Sequence, residues 1–103
     1  MLETIDDKQI ASLLAGNGLT LVLMTAHWDG NGIILRSIIQ RMTDQYRGVR
    51  FCEADYERAP RLARLFNLTS PPGLLFIREG ELVHRITKPI SAGRISDLIQ
   101  AAA

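Results

Sequence analysis

Few side chains in this sequence belong to types that carry covalent or proton-transfer chemistry, and Cys52 comes first because it is the only cysteine. One thiol excludes an intramolecular disulfide and a zinc site built from several thiolates. The two histidines, His27 and His84, are too few to form such a site alone. Cys52 sits within a run that reads as a strand, so it is expected to be a small buried hydrophobe; a reactive thiol needs an exposed, electropositive setting. Asp29 has the carboxylate of a general base. Its structural reading is the cap of a helix beginning near Gly32, where unpaired amides and the helix dipole favour an anion. His27, with no second carboxylate or nucleophile beside it in sequence, reads as a surface histidine. No catalytic set, metal site or cofactor is expected.

The elements that position these residues follow from periodicity. Thr4-Ile5-Asp6-Asp7 resembles a capping box for a helix running to about Ala15, with Ile10, Leu13 and Leu14 as its apolar stripe. Gly16-Asn17-Gly18 ends it. Leu19 to Thr25 is a nearly continuous apolar run, the pattern of a central strand covered on both faces. A second helix is expected over about Gly32 to Tyr46, with Ile34, Leu35, Ile38, Ile39, Met42 and Tyr46 on one arc of about 140°. Gly48 breaks it, and Val49 to Asp55 reads as the next strand, completing a βαβ unit with a right-handed crossover. Pro60 opens a short third helix that ends near Asn67. Gly73 to Arg78 and Glu81 to Ile86 flank the turn signal Glu79-Gly80 and predict an antiparallel hairpin. Ser91 caps a last helix carrying Ile95, Leu98 and Ile99.

Composition bounds the function. The 103 residues suit one domain spanning 1–103, 47% of them are apolar, and four prolines and eight glycines lie outside disordered compositions. Twelve basic residues balance eleven acidic ones, and the arginines are scattered from Arg36 to Arg94, so no nucleic-acid partner is expected. The N-terminal run is acidic, with no basic segment leading into an apolar one, and the longest apolar stretch, Leu19 to Ala26, is far short of the ~20 residues that span a bilayer. A cytoplasmic protein with no membrane partner is the expectation.

The element order and several landmarks together resemble the thioredoxin family over nearly the whole chain. An apolar strand leads into Trp28-Asp29-Gly30-Asn31-Gly32, where the family has Trp-Cys-Gly-Pro-Cys opening a helix. Tyr46-Arg47-Gly48 is similar to the family's Tyr-x-Gly, Asp55 closes the next strand as the family's Asp does, and Pro60, Leu62-Ala63 and Phe66 match the positions that follow. Pro72-Gly73-Leu74-Leu75-Phe76-Ile77-Arg78-Glu79-Gly80 resembles the family's cis-proline, apolar strand and glycine turn. The resemblance implies a thioredoxin-like α/β fold, a central mixed sheet flanked by helices with the first strand short or absent, and a cis bond between Pro71 and Pro72.

The departures from the family carry the functional expectation. Thioredoxin chemistry needs a low-pKa thiolate at a helix N-terminus and a second thiol to resolve the mixed disulfide. Asp29 and Gly32 stand at those two positions, so no ordinary disulfide reductase is expected. The family's buried acid aligns with Leu23 and its buried lysine with Phe51, an ion pair exchanged for packing. Its substrate-groove glycine aligns with Lys88, which would crowd that groove. Ile33 lies almost opposite the centre of the helical arc and is expected to face solvent. With Trp28 and the Pro71-Pro72 and Pro89 loops that the resemblance brings alongside, it would form an apolar patch rimmed by Lys88 and Asp29. The expected function is a non-catalytic module that binds a polypeptide, as a chaperone or scaffold, through Trp28, Asp29, Gly30, Asn31, Gly32, Ile33, Pro71, Pro72, Lys88 and Pro89. Two alternatives stand beside it: a thiol- or glutathione-engaging relative of the oxidoreductases with a degenerate site, and self-association through the same patch.

Overall fold

The computed structural model describes residues 2–102. Its elements, in chain order, are β1 (Glu3–Thr4), α1 (Ile10–Ala15), β2 (Leu19–Thr25), α2 (Gly30–Met42), β3 (Arg50–Asp55), α3 (Pro60–Leu65), β4 (Gly73–Arg78), β5 (Glu81–Ile86) and α4 (Ala92–Ala102). The five strands form one mixed sheet in the order β1-β3-β2-β4-β5. β1 and β2 run parallel to β3, while β4 is antiparallel to both β2 and β5. This is a thioredoxin-like α/β fold whose first strand is only two residues long.

Side-chain alternation divides the core into two layers. Leu19, Leu21 and Leu23 of β2 join Phe51, Leu74 and Phe76 beneath α2 and α4, where they meet Leu35, Ile39, Ile95 and Ile99. Val22 and Met24 join Cys52, Ala54, Leu75 and Ile77 on the other face, covered by Leu13 of α1 and Leu62 and Ala63 of α3. With both faces covered, β2 is buried almost end to end, which is why its sequence reads as a continuous apolar run. Leu23 and Phe51 lie in the same layer, so the two positions at which the family keeps charges are occupied here by packed hydrocarbon.

Several boundaries differ from the sequence expectation. Thr4 is committed to β1, beside Glu53, and the capping box lies two residues further on: Asp6 accepts from Lys8 N–H, and Gln9 accepts from Asp6 N–H, around a 3-10 turn at Asp7–Gln9. Asp7 instead reaches across to α3, where its carboxylate accepts from the backbone amides of Arg61 and Leu62 at 3.2 and 2.8 Å. That contact fixes the N-terminus of a short helix whose own N-cap, Ala59, has no capping side chain. α2 starts at Gly30 rather than Gly32 and stops at Met42, and a 3-10 turn over Thr43–Gln45 precedes Tyr46, whose hydroxyl bonds Ser96 of α4. Leu14 and Ile34, both assigned to buried stripes, are exposed. Ser91 caps α4 as expected, accepting from Arg94 N–H. At the β4–β5 turn, Glu79 and Gly80 have φ of 52° and 80°, and a Cβ on Gly80 would lie 2.1 Å from the carbonyl oxygen of Leu14, so this position requires glycine.

Candidate functional site

The first turn of α2 follows directly from the buried end of β2. Asp29 N–H donates to the Ala26 carbonyl at 3.0 Å, and the Asp29 carbonyl accepts the first helical bond, from Ile33 N–H, at 3.2 Å. Asp29 is therefore the N-cap by backbone geometry, but its side chain makes no capping hydrogen bond, contrary to the sequence expectation. The residue is only 8% exposed, and its Oδ2 is buried without a hydrogen-bond partner. The pattern of residue types gave the position of the cap and missed the rotamer of its carboxylate.

Gly32 explains how that carboxylate fits. A Cβ built there would stand 2.7 and 2.9 Å from side-chain carbons of Thr25 and 3.0 Å from Asp29 Oδ2. The first turn thus packs onto β2 so closely that a side chain at this position would have to displace Thr25 or the Asp29 carboxylate. Trp28 and Ile33 project outward, each 60% exposed, and Ile34 adds a third apolar side chain at 52%. Asn31 and Gly30 are exposed between them.

The proline loop stands at the same end of the sheet. Met24 pairs with Gly73, so Pro72 lies level with the end of β2, and the Pro71–Pro72 peptide bond is cis. Leu74 pairs with Ile86 at this end of the hairpin, so the segment carrying Lys88 and Pro89 leaves the sheet beside the one carrying Pro72. Pro72 is buried, Pro71 half-buried, and Lys88 and Pro89 are exposed.

A cavity of about 380 Å³ opens on the flank of α2 that faces β3, a feature the sequence did not reveal. Gly32 and Ile33 line it, with Thr25, His27, Asp55 and the ion pair of Arg36 and Glu53; Trp28 and Pro72 do not. Arg36 follows Ile33 by one helical turn and grips Glu53 with two hydrogen bonds, at 2.7 and 3.3 Å. The carboxylate raises the guanidinium pKa further above its ordinary value, through the hydrogen bond first and charge second. Nearby, His27 Nδ1 is 3.8 Å from Glu57 with both side chains largely exposed, and Arg58 is 3.9 Å from Asp55. The spacing of Arg36 to Ile33 was the available signal for this flank, but its partner on β3 required the register of the sheet.

Cys52 lies apart from this site. It is fully buried in the layer under α1 and α3, and burial pushes its thiol up to about 11, against the opposing pull of Arg50. Among the described residues no group of three histidine, cysteine or acidic side chains is placed to hold a metal ion, and no helix is long and apolar enough to cross a membrane.

A parallel β2–α2–β3 unit joined through a helix to an antiparallel hairpin, with a helix N-terminus beside a cis-proline, defines the class of α/β proteins related to the thiol–disulfide oxidoreductases. The family model described as thioredoxin matches residues 2–101, and the chain belongs to the thioredoxin family. It is a member without the C-x-x-C dithiol, since its one cysteine is in β3. It is similar to thioredoxin H2 of Arabidopsis thaliana, 30% identical over 70 residues, which cover 68% of this chain and 53% of that protein. The match therefore spans about half the length of the plant relative. A thioredoxin of Chlamydia trachomatis is 25% identical over 85 residues, 82% of each chain. Among solved structures, a chain from work on thiol resolution in the yeast mitochondrial 1-Cys peroxiredoxin via the glutathione and thioredoxin systems superposes with a TM-score of 0.86. It is 18% identical, with 97% of this chain and 94% of that one covered, a likeness of fold.

Proposed function

We propose that this chain is a non-catalytic thioredoxin-like module that binds a polypeptide, as a chaperone or scaffold, through the first turn of α2 and the neighbouring proline loop. The observation that carries this reading is the conjunction of Trp28, Ile33 and Ile34, exposed together around a helix start that bears no thiol. Scattered exposed apolar residues are ordinary, whereas several close together in the chain around one helix start offer a partner more apolar surface to cover. Dithiol exchange requires two thiols in reach of one another. The positions that would hold them carry a carboxylate and a glycine, and the buried Cys52, with its raised pKa, supplies almost no thiolate at neutral pH. The same setting disfavours thiol or glutathione exchange at Cys52.

Two measurements test the reading. An insulin-reduction assay with a thioredoxin reductase should show no turnover above buffer, and reduction at even a modest fraction of a thioredoxin's rate would contradict it. A photo-crosslinking amino acid placed at Ile33 in the expressed protein should yield a heteromeric adduct that is absent when the probe replaces Val83, an exposed apolar residue on β5. Equal labelling at both positions, or none at Ile33, would remove the binding surface. An adduct of twice the chain's mass would turn it into a self-association face.

A further inference from the structure

We propose that Asn17 is a site of spontaneous covalent modification, in which water converts its side-chain amide to a carboxylate, and that the fold exempts Asn31 from the same reaction. The chain presents one tripeptide, Gly-Asn-Gly, twice, at 16–18 and at 30–32. Asparagine before glycine is the labile pair, because the glycine nitrogen, with no Cβ beside it, can reach the asparagine Cγ. The new bond joins that nitrogen to Cγ, the bond from Cγ to the side-chain nitrogen breaks, and ammonia leaves with the proton that the glycine nitrogen gives up. The five-membered imide then takes up one water and opens at either carbonyl, to aspartate or to isoaspartate. No atom changes oxidation state.

Both asparagines are exposed, so access to water does not separate them. Backbone geometry does. Asn17 lies between the end of α1 at Ala15 and the start of β2 at Leu19, preceded by Gly16 in an extended conformation and followed by Gly18 at φ 73°. A Cβ on Gly18 would meet nothing within 4 Å, so the ring has room to form. The Gly18 N–H donates to an exposed side chain, Glu79 Oε1 at 3.1 Å, and is released when that glutamate moves. Asn31 stands in the first turn of α2, where a helical ψ of about −42° holds the next nitrogen away from its Cγ. Attack there requires the turn to unwind, which breaks the bond from Ile33 N–H to the Asp29 carbonyl and pulls the buried Gly32 off Thr25. Conversion of Asn17 sets a new negative charge one residue from the Gly18–Glu79 contact, and the isoaspartate also adds a carbon to the link between α1 and β2. The reaction is independent of the binding role proposed above.

The test incubates the protein at physiological temperature in mildly alkaline buffer made with heavy-oxygen water, folded and, in parallel, in denaturant. Ion exchange resolves any acidic form, and fragment-ion mass spectrometry of the tryptic peptide Gln9–Arg36, which holds both asparagines, assigns the converted residue. The folded protein should accumulate an acidic form carrying heavy oxygen at residue 17, with Asn17 converting at least tenfold faster than Asn31. In denaturant, where the two tripeptides are equivalent, the rates should converge. Asn17→Gln should abolish the acidic form of the folded protein and leave conversion of Asn31 in denaturant intact. Equal rates at the two residues in the folded protein, or faster conversion of Asn31, would overturn the proposal by showing that α2 gives no protection. Conversion of both in denaturant and of neither in the folded protein would overturn it as well, because the loop would then be held as firmly as the helix. An acidic form that persists in Asn17→Gln would place the modification elsewhere, and no conversion even in denaturant would remove the chemistry; either result overturns the assignment to Asn17.

Discussion

α2 presents two faces that obey different rules. Its inner side sets Leu35, Ile39 and Met42 against the leucines of β2 and β4 and the isoleucines of α4, and each is almost fully buried. Its start, standing where β2 ends, keeps Gly32 pressed to Thr25 but leaves Ile33, Ile34 and the preceding Trp28 open. The apolar residues are of the same kinds in both places. What differs is whether the sheet and α4 are present to cover them. A hydrophobic residue on this helix therefore signals stability along the inner face, and at the start it is left free for the binding role proposed above.

The largest expected effect that sharpens this contrast is at Ile39, where truncation to Ala should cost about 2–5 kcal/mol through lost burial and a cavity, measured by denaturant unfolding. A loss under 1 kcal/mol would show that the inner face is loosely packed. Ile38, which lies on the predicted arc, is only half-buried, and its truncation should cost less than that of Ile39. Gly32→Ala comes next, at roughly 1–3 kcal/mol, because the new methyl must displace Thr25 or the Asp29 carboxylate. If that variant melts with the parent, the close approach of α2 to β2 is wrong.

Cys52 gives a smaller, pH-dependent effect from the interior. Its folded pKa, about 11, lies above the ordinary 9.0, so the unfolded chain releases the proton first as pH rises. The stabilisation is fully present below pH 9 and is lost progressively between about 9 and 11. Cys52→Ala should flatten that slope in melts across this range, and an unchanged slope would place its origin elsewhere. On the flank of α2, Arg36→Gln breaks an exposed pair and should cost at most about 1 kcal/mol, less in high salt. A larger loss would show that Arg36 holds α2 to β3.

Much of this architecture was legible because apolar spacing and backbone rules act locally. The run Leu19–Thr25, the hairpin at Glu79-Gly80 and the Ser91 cap each need only a few neighbouring residues to be recognised. The failures occur where the answer depends on distant residues. Thr4 matches a capping box in sequence, but β3 recruits it as a strand, and Asp7 is drawn to α3, far away in the chain. Ile34 falls on the helical arc, yet the arc cannot say where the covering sheet stops. Asp29 was recognisable as a cap position, but the unpartnered state of its carboxylate depends on Thr25 and Gly32 packing together. The cavity beside Ile33 is formed by residues from β1, β3 and α2, and only their assembly reveals it.

The contrast is weakest in expected energy at Ile33, and there it is tested most directly. Ile33→Asp adds a charge to an exposed position near a helix N-terminus, so stability should change by no more than about 0.5 kcal/mol. The measurement is one pair of experiments on that variant: a thermal melt beside the parent and beside Ile39→Ala, and cross-linking to the partner from a probe at Trp28. The account predicts a melting temperature within a few degrees of the parent's and loss of the cross-link. A melt as low as that of Ile39→Ala, or an undiminished cross-link, would contradict it.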